Sequence, residues 1–433
     1  MQKAFLKARL LLTCLLIVLL PTQLGKHFWP DFSYINNLRV DYLSPTIYVT
    51  DIIIFFIFVI SAFFDPPAFS FLAKTKQKTR LCVVLILLFL SALWAASPFV
   101  SLIKVAKITE FLFVGLYFRR IVEKELKIDC LISLLAIGAF FESILAIWQF
   151  VIQGSVGGPL WYFGEREMNA STPFAARAVI GGELFLRPYG TLPHPNVLGG
   201  YLAVVLVFVL ARILWRKTEK RNTPMNKAVF FDTTMFIVGT TALFLTYSRI
   251  SWVAFFFAVI VLLINRFGVK EAFFLTAIFL LLIFFLAGGQ ISSRFLALED
   301  VDKESYRERQ ELGILGLEMF FKNPIFGVGP NNFLPASLSY QKKTGTVKKY
   351  QPAHNIYLLI ASETGFFAFF LFIEFIAKTL LRHLRSFGLW AVILLQLIFF
   401  GFFDHYLYTL QQGQLLFALV LGLSWSKTKM PKT

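Results

Sequence analysis

"LCVVLILLFLSALWAA" (81–96) runs without a single charge, and "TDIIIFFIFVISAFF" (50–64) carries only Asp51. Such runs approach the ~20 apolar residues that a helix needs to cross a ~30 Å hydrocarbon layer. Backbone polar groups find no water in lipid, so a spanning segment is a helix or part of a closed barrel. Barrel strands alternate apolar with polar, and these runs do not, so they are helices. The same reading gives about twelve spans: 10–24, 46–64, 81–97, 100–118, 128–151, 196–214, 228–246, 250–264, 271–287, 355–377, 388–403 and 410–425. Composition agrees. Only 15% of the 433 residues are charged and 52 are Phe, whereas a soluble domain is roughly 25% charged. The expected class is an all-α polytopic membrane protein, with residues 1–433 forming one integral membrane domain.

The net charge of +17 sets orientation and does not imply nucleic acid. With the N-terminus in the cytoplasm, every inside segment is basic: Lys3, Lys7 and Arg9 come first, then Lys74, Lys76, Lys78 and Arg80. Arg212, Arg216, Lys217, Lys220 and Arg221 continue the pattern. The short outside loops carry only Lys26, Arg39 and Arg249. This is the positive-inside pattern, and it puts both termini in the cytoplasm. Basic residues precede "LLLTCLLIVLL", as in a signal peptide, but no small-x-small cleavage site follows, so an uncleaved helix is expected. Cys14, Cys82 and Cys130 fall in or beside spans, so no disulfide or metal motif is implied.

Two long polar segments, 152–195 and 288–354, both fall outside. The second contains an amphipathic helix from Ser305 to Lys322. Leu312, Leu315, Met319 and Phe320 form its apolar stripe, and Arg307, Arg309, Glu311 and Glu318 lie largely off it. Asn323-Pro324 ends the helix. This segment is either a solvated loop tied to the membrane surface by that helix or an ordered lid, and its aromatics favour the lid.

The candidate chemistry sits at the outer boundary. In "QPAHNIYLLIASETG" (351–365), Asn355 suits a helix N-cap and puts His354 where the apolar helix begins. Four of five histidines (His27, His194, His354, His405) fall outside, so groups titrating near neutrality gather on one face. Gly190, Pro193, Pro195 and Asn196 stiffen the approach from Arg187 to the sixth span. Arg249 lies in a connection so short that it must stay near the outer boundary. Snorkelling accounts for such a charge, and so does an anion: the guanidinium fork matches phosphate oxygens. Lys107 and Glu110 form an i, i+3 pair, and Glu142 is expected to hydrogen-bond within the bundle. Glu363 lies deeper than His354 and reads as a supporting group. Asp404 and His405 are outer groups that could line the same cavity. There is no nucleotide loop, zinc helix or nucleophile elbow. "EDVD" (299–302) reads as plain loop acid, so neither metal nor cofactor is expected.

Together, "RPYGTLPHPNVLGGYLA" (187–203), "TYSRISWVAF" (246–255) and "RERQELGILGLEMFFKNPIFGVGPNNF…QPAHNIYLLIASETGFFAFF" (307–370) resemble the O-antigen ligase family of bacterial membrane glycosyltransferases. Gly313 departs from the family's frequent Trp. The resemblance implies a GT-C-like, metal-independent inverting enzyme of the bacterial cytoplasmic membrane, with its site facing the periplasm or exterior. The donor would be an undecaprenyl-diphosphate-linked glycan and the acceptor a glycan, lipid or protein. His354 would be the catalytic base and Arg187 and Arg249 the diphosphate ligands. Arg309, Arg307, Asn355, Asn196, His194 and Glu363 would support them. A surface-polysaccharide polymerase is the near alternative, and a lipid-linked glycan flippase the alternative of another class.

Overall fold

A computed structural model describes residues 2–65, 75–180, 182–216, 227–278, 281, 300–344, 350–385 and 387–427. Among these, five helices are long and apolar enough to cross a membrane: Ile128–Ile152, Pro195–Trp215, Lys227–Leu245, Arg249–Phe267 and Ile356–Leu384. Val49–Phe64, Thr79–Leu93 and Leu389–Phe403 are shorter apolar helices. Helices also cover Gln2–Val18, Pro98–Lys124 and Gln411–Ser424. The first is displaced from the expected span 10–24: it starts at Gln2 and takes Lys3, Lys7 and Arg9 into its own turns. Residues 279–280 and 282–287 of the expected span 271–287, residue 299 of the acidic stretch and the basic loop 217–226 lie outside the described residues.

The helix Pro195–Trp215 is the hub. Residues Leu202 to Val209 are wholly buried, because they are apolar around the full circumference. It packs against Ile128–Ile152, Lys227–Leu245, Arg249–Phe267 and Leu389–Phe403. Its N-terminal turn admits close neighbours only because Gly200 has no side chain: a Cβ there would stand 2.1 Å from the Tyr406 hydroxyl.

The helix Ile356–Leu384 is broken at Gly365 (φ 74°, ψ −179°). The break frees carbonyls that the segment 324–329 then takes up. Val328 N–H donates to Ser362 O and Gly329 N–H to Glu363 O, both at 2.9 Å, and Phe366 N–H donates to Pro324 O at 2.7 Å. Buried backbone groups need partners, and this exchange supplies them. The expected amphipathic helix exists as Asp300–Lys322. Its stripe residues Leu312 and Met319 are buried in a cluster with Phe333 and Leu359, so its apolar face rests on protein. Among the described residues, sheet is confined to three two-stranded antiparallel ladders in polar segments. One is the hairpin Arg177–Ile180 with Glu183–Leu186; another pairs Gly25–His27 with Thr46–Tyr48.

Candidate active site

Four distant stretches of chain converge on one cavity. At the head of Ile356–Leu384, Asn355 is extended and its Oδ1 accepts from the N–H groups of Tyr357 (2.9 Å) and Leu358 (3.1 Å). That cap fixes His354 at the helix mouth. The His354 ring meets His405 edge-on with centroids 5.0 Å apart, and Tyr42 meets His405 at 5.4 Å.

Arg187 is held from two directions. Its Nε donates to Thr246 O at 2.7 Å and its Nη2 to Asn196 Oδ1 at 2.6 Å. Thr246 belongs to the turn that delivers Arg249, so the two guanidinium groups share a mount. The turn after Arg187 is built by buried groups of Ile128–Ile152. Gln149 Oε1 accepts from Tyr189 N–H (3.1 Å) and Gly190 N–H (2.8 Å), while its Nε2 donates to Gly190 O (3.0 Å). Glu142 accepts from Thr191 N–H at 2.8 Å and from the Thr191 hydroxyl at 2.5 Å. Gly190 (φ 60°) is required there, since a Cβ would lie 2.2 Å from Glu142 Oε2.

The cavity measures about 1050 Å³ and is lined by His354, Arg187, Arg249, Arg309, His194 and Asn196 among others. Seven basic side chains line it against three acidic ones, Asp41, Glu308 and Asp404, so it favours an anion. Arg309 reaches it from the helix Asp300–Lys322. Arg309 Nε and His354 Nδ1 are buried without a hydrogen-bond partner among the described residues. The remaining expected residues sit elsewhere. Arg307 is exposed and pairs with Glu311 at 3.1 Å. Asn355 serves as the cap. Glu363 is buried, accepting from Asn331 N–H (2.7 Å), Phe333 N–H (3.2 Å) and the Tyr408 hydroxyl (2.9 Å).

The imidazoles are poised to be neutral. Burial and then Arg187 bring His194 down to about 3, and His194 Nδ1 accepts from Asn196 N–H at 3.1 Å. Burial, His405, Arg309 and His194 lower His354, against an upward pull from Asp404. Burial and Arg309 lower His405 as well. Asn196 Nδ2 also donates to Asp404 Oδ2 at 3.3 Å. Cationic donors with a neutral imidazole beside them can grip an anion and take a proton.

Several lining groups had no distinct signal in the sequence. Arg166 and Arg177 look like any loop charge. Lys104 reads as a charge in an apolar span, and Lys107 stands out only through Glu110. Tyr42 lies in the stretch between the first two helices, which read as an ordinary short loop; all five line the cavity.

Residues 234–373 match the family model described as O-Antigen ligase. No curated protein matches the chain. The matched stretch includes Arg249, the helix that delivers Arg309, and the His354 element. The chain is a helical integral membrane protein whose segment 234–373, about a third of its length, is similar to the O-antigen ligase family.

Proposed function

We propose that the protein transfers a glycan from an undecaprenyl-diphosphate carrier to an acceptor hydroxyl at the outer face of the cytoplasmic membrane, as a ligase in preference to a polymerase. The observation that carries this reading is that His354, Arg187, Arg249 and Arg309, from four separate segments, line one cavity. The diphosphate sits among the guanidinium groups. Each charge-assisted hydrogen bond to phosphate contributes ~1.5–3 kcal/mol, and it strengthens as negative charge gathers on the leaving group. Guanidinium groups thereby take the neutralising role that a metal plays in other diphosphate sites. The acceptor oxygen attacks the anomeric carbon as the bond to the diphosphate breaks. Its proton passes to His354, the bond's electron pair leaves with the diphosphate, and the configuration inverts. General-base help of this kind is typically worth ~10²–10⁴-fold.

The depressed basicity of His354 keeps it unprotonated in the empty site. An incoming diphosphate offsets Arg309 and raises that basicity when the proton must be taken. The test is glycan transfer in membranes carrying His354→Ala, with protein level checked. Transfer falls by orders of magnitude if His354 is the base, and wild-type transfer removes it from that role.

A further inference from the structure

The cavity continues past His354, and the segment 404–414 runs along it. At one end Asp404 Oδ2 accepts from Asn196 Nδ2 at 3.3 Å, and Asn196 also holds Arg187. One residue on, His405 lies against His354 with ring centroids 5.0 Å apart. Beyond it, Tyr408 O and Gln414 Oε1 (3.1 Å) accept from Lys104 Nζ, and Gln411 Oε1 accepts from Lys107 Nζ at 3.4 Å. The order along the segment is arginine end, imidazole, lysine end. Lys104, Lys107, Gln411 and Gln414 all line the cavity.

The two lysines differ. Lys107 is surrounded by acceptors: Asp51, Glu110 (3.3 Å) and Gln411. Lys104 is buried, 6% exposed, and lies over the Tyr408 ring at 4.3 Å. An ammonium has three donors. Two reach Tyr408 O and Gln414 Oε1, and among the described residues the third has no acceptor. A buried charge with an unused donor facing a cavity is costly unless a ligand oxygen completes it. Gln414 spends its Oε1 on Lys104, which leaves its amide NH₂ for the same ligand.

We infer that the lysine end is the acceptor subsite: a hydroxyl oxygen of the acceptor saccharide takes the third N–H of Lys104, with Gln414 beside it. This rests on the reading of the arginine end as the diphosphate site. Inverting displacement needs nucleophile and leaving group on opposite faces of the anomeric carbon. His354, which deprotonates the nucleophile, stands between the two ends, so the acceptor comes from the lysine side. Lys104 and Gln414 are positioning residues here, with no part in the proton transfer.

The experiment uses the full chain in lipid nanodiscs. Carrier-linked glycan and acceptor lipid are both extracted from a strain lacking the protein, and undecaprenyl diphosphate serves as the donor-site probe. Lys104→Met and, as a milder change at a partly exposed position, Gln414→Leu are compared with wild type. At limiting acceptor, transfer falls roughly tenfold to a hundredfold, the equivalent of one charge-assisted hydrogen bond. It recovers at excess acceptor, while undecaprenyl diphosphate binds as it does to wild type. Unchanged transfer at limiting acceptor in both variants overturns the assignment. So does a loss that excess acceptor does not relieve, or weakened undecaprenyl diphosphate binding in both. Failure of the donor reading is visible separately, as Arg249→Ala binding undecaprenyl diphosphate with wild-type affinity.

Discussion

Replacing Gly365 with Ala tests how the active-site end of Ile356–Leu384 is fastened. If the break is kept, Ala must adopt φ 74°, ψ −179°, a region essentially reserved for glycine, at about 1–3 kcal/mol. Its Cβ would also stand 2.3 Å from Ile325 O and 2.7 Å from Phe326 N. Both are backbone atoms, so the loop itself must shift. If the helix straightens instead, the three bonds from Val328, Gly329 and Phe366 are lost, and the amide of buried Val328 is stranded, at roughly 1–3 kcal/mol for each unsatisfied group. By either route the variant is destabilised by about 3 kcal/mol or more. The control is Gly313→Ala, a helical position whose added Cβ meets only Leu358 Cδ1 at 3.7 Å. It should gain about 0.5–1 kcal/mol from helix propensity. Thermal melting in detergent, with glycan transfer measured alongside, reads both. A Gly365→Ala protein that melts and transfers like wild type, or a Gly313→Ala protein that is the less stable of the two, refutes the reasoning.

Three further outcomes are expected. Neutral His354 is the active form, so rate falls as pH drops through its pKa. The acid limb of kcat/KM for the donor lies below the ordinary histidine value of about 6.5, and the limb of kcat lies at higher pH because the bound diphosphate offsets Arg309; coincident limbs contradict this. Arg249→Lys keeps the charge but loses the fork, and kcat/KM for the donor drops about tenfold or more, as steady-state transfer assays would show. Asn355→Ala removes the acceptor for two amides and costs about 1 kcal/mol of stability, read by melting, with a larger loss of transfer because His354 leaves its place.

What was legible in the sequence was local. Asn355 announces a helix start because a short polar side chain before an apolar run can cap it, and the structure shows both capping bonds. Lys107 and Glu110 pair through helix spacing alone, although their third member, Asp51, comes from another helix. Glu142 was expected to bond within the bundle; its partner, the backbone and side chain of Thr191, lies 49 residues away. Glu363 reads from the sequence as a supporting group deeper than His354, but the sequence does not say what it supports. Its partners come from distant segments: the N–H groups of Asn331 and Phe333 and the Tyr408 hydroxyl donate to its carboxylate. Lys104 meets Tyr408 and Gln414 across more than 300 residues. Hydrophobic periodicity carries no information about such pairings.

The fastening at Gly365 also decides which parts of the cavity can separate. Backbone bonds lock the segment after the Arg309 helix to the helix that begins beside His354, so those two groups ride in one jaw. Thr246 and Asn196 lock Arg187 to the mount of Arg249, which makes the opposing jaw. Asp404 and His405 touch both: Asp404 Oδ2 accepts from Asn196 Nδ2 at 3.3 Å and the His405 ring meets His354. A headgroup bound in the cavity therefore touches groups carried on two separately fastened units, and its grip depends on how those units are set against each other.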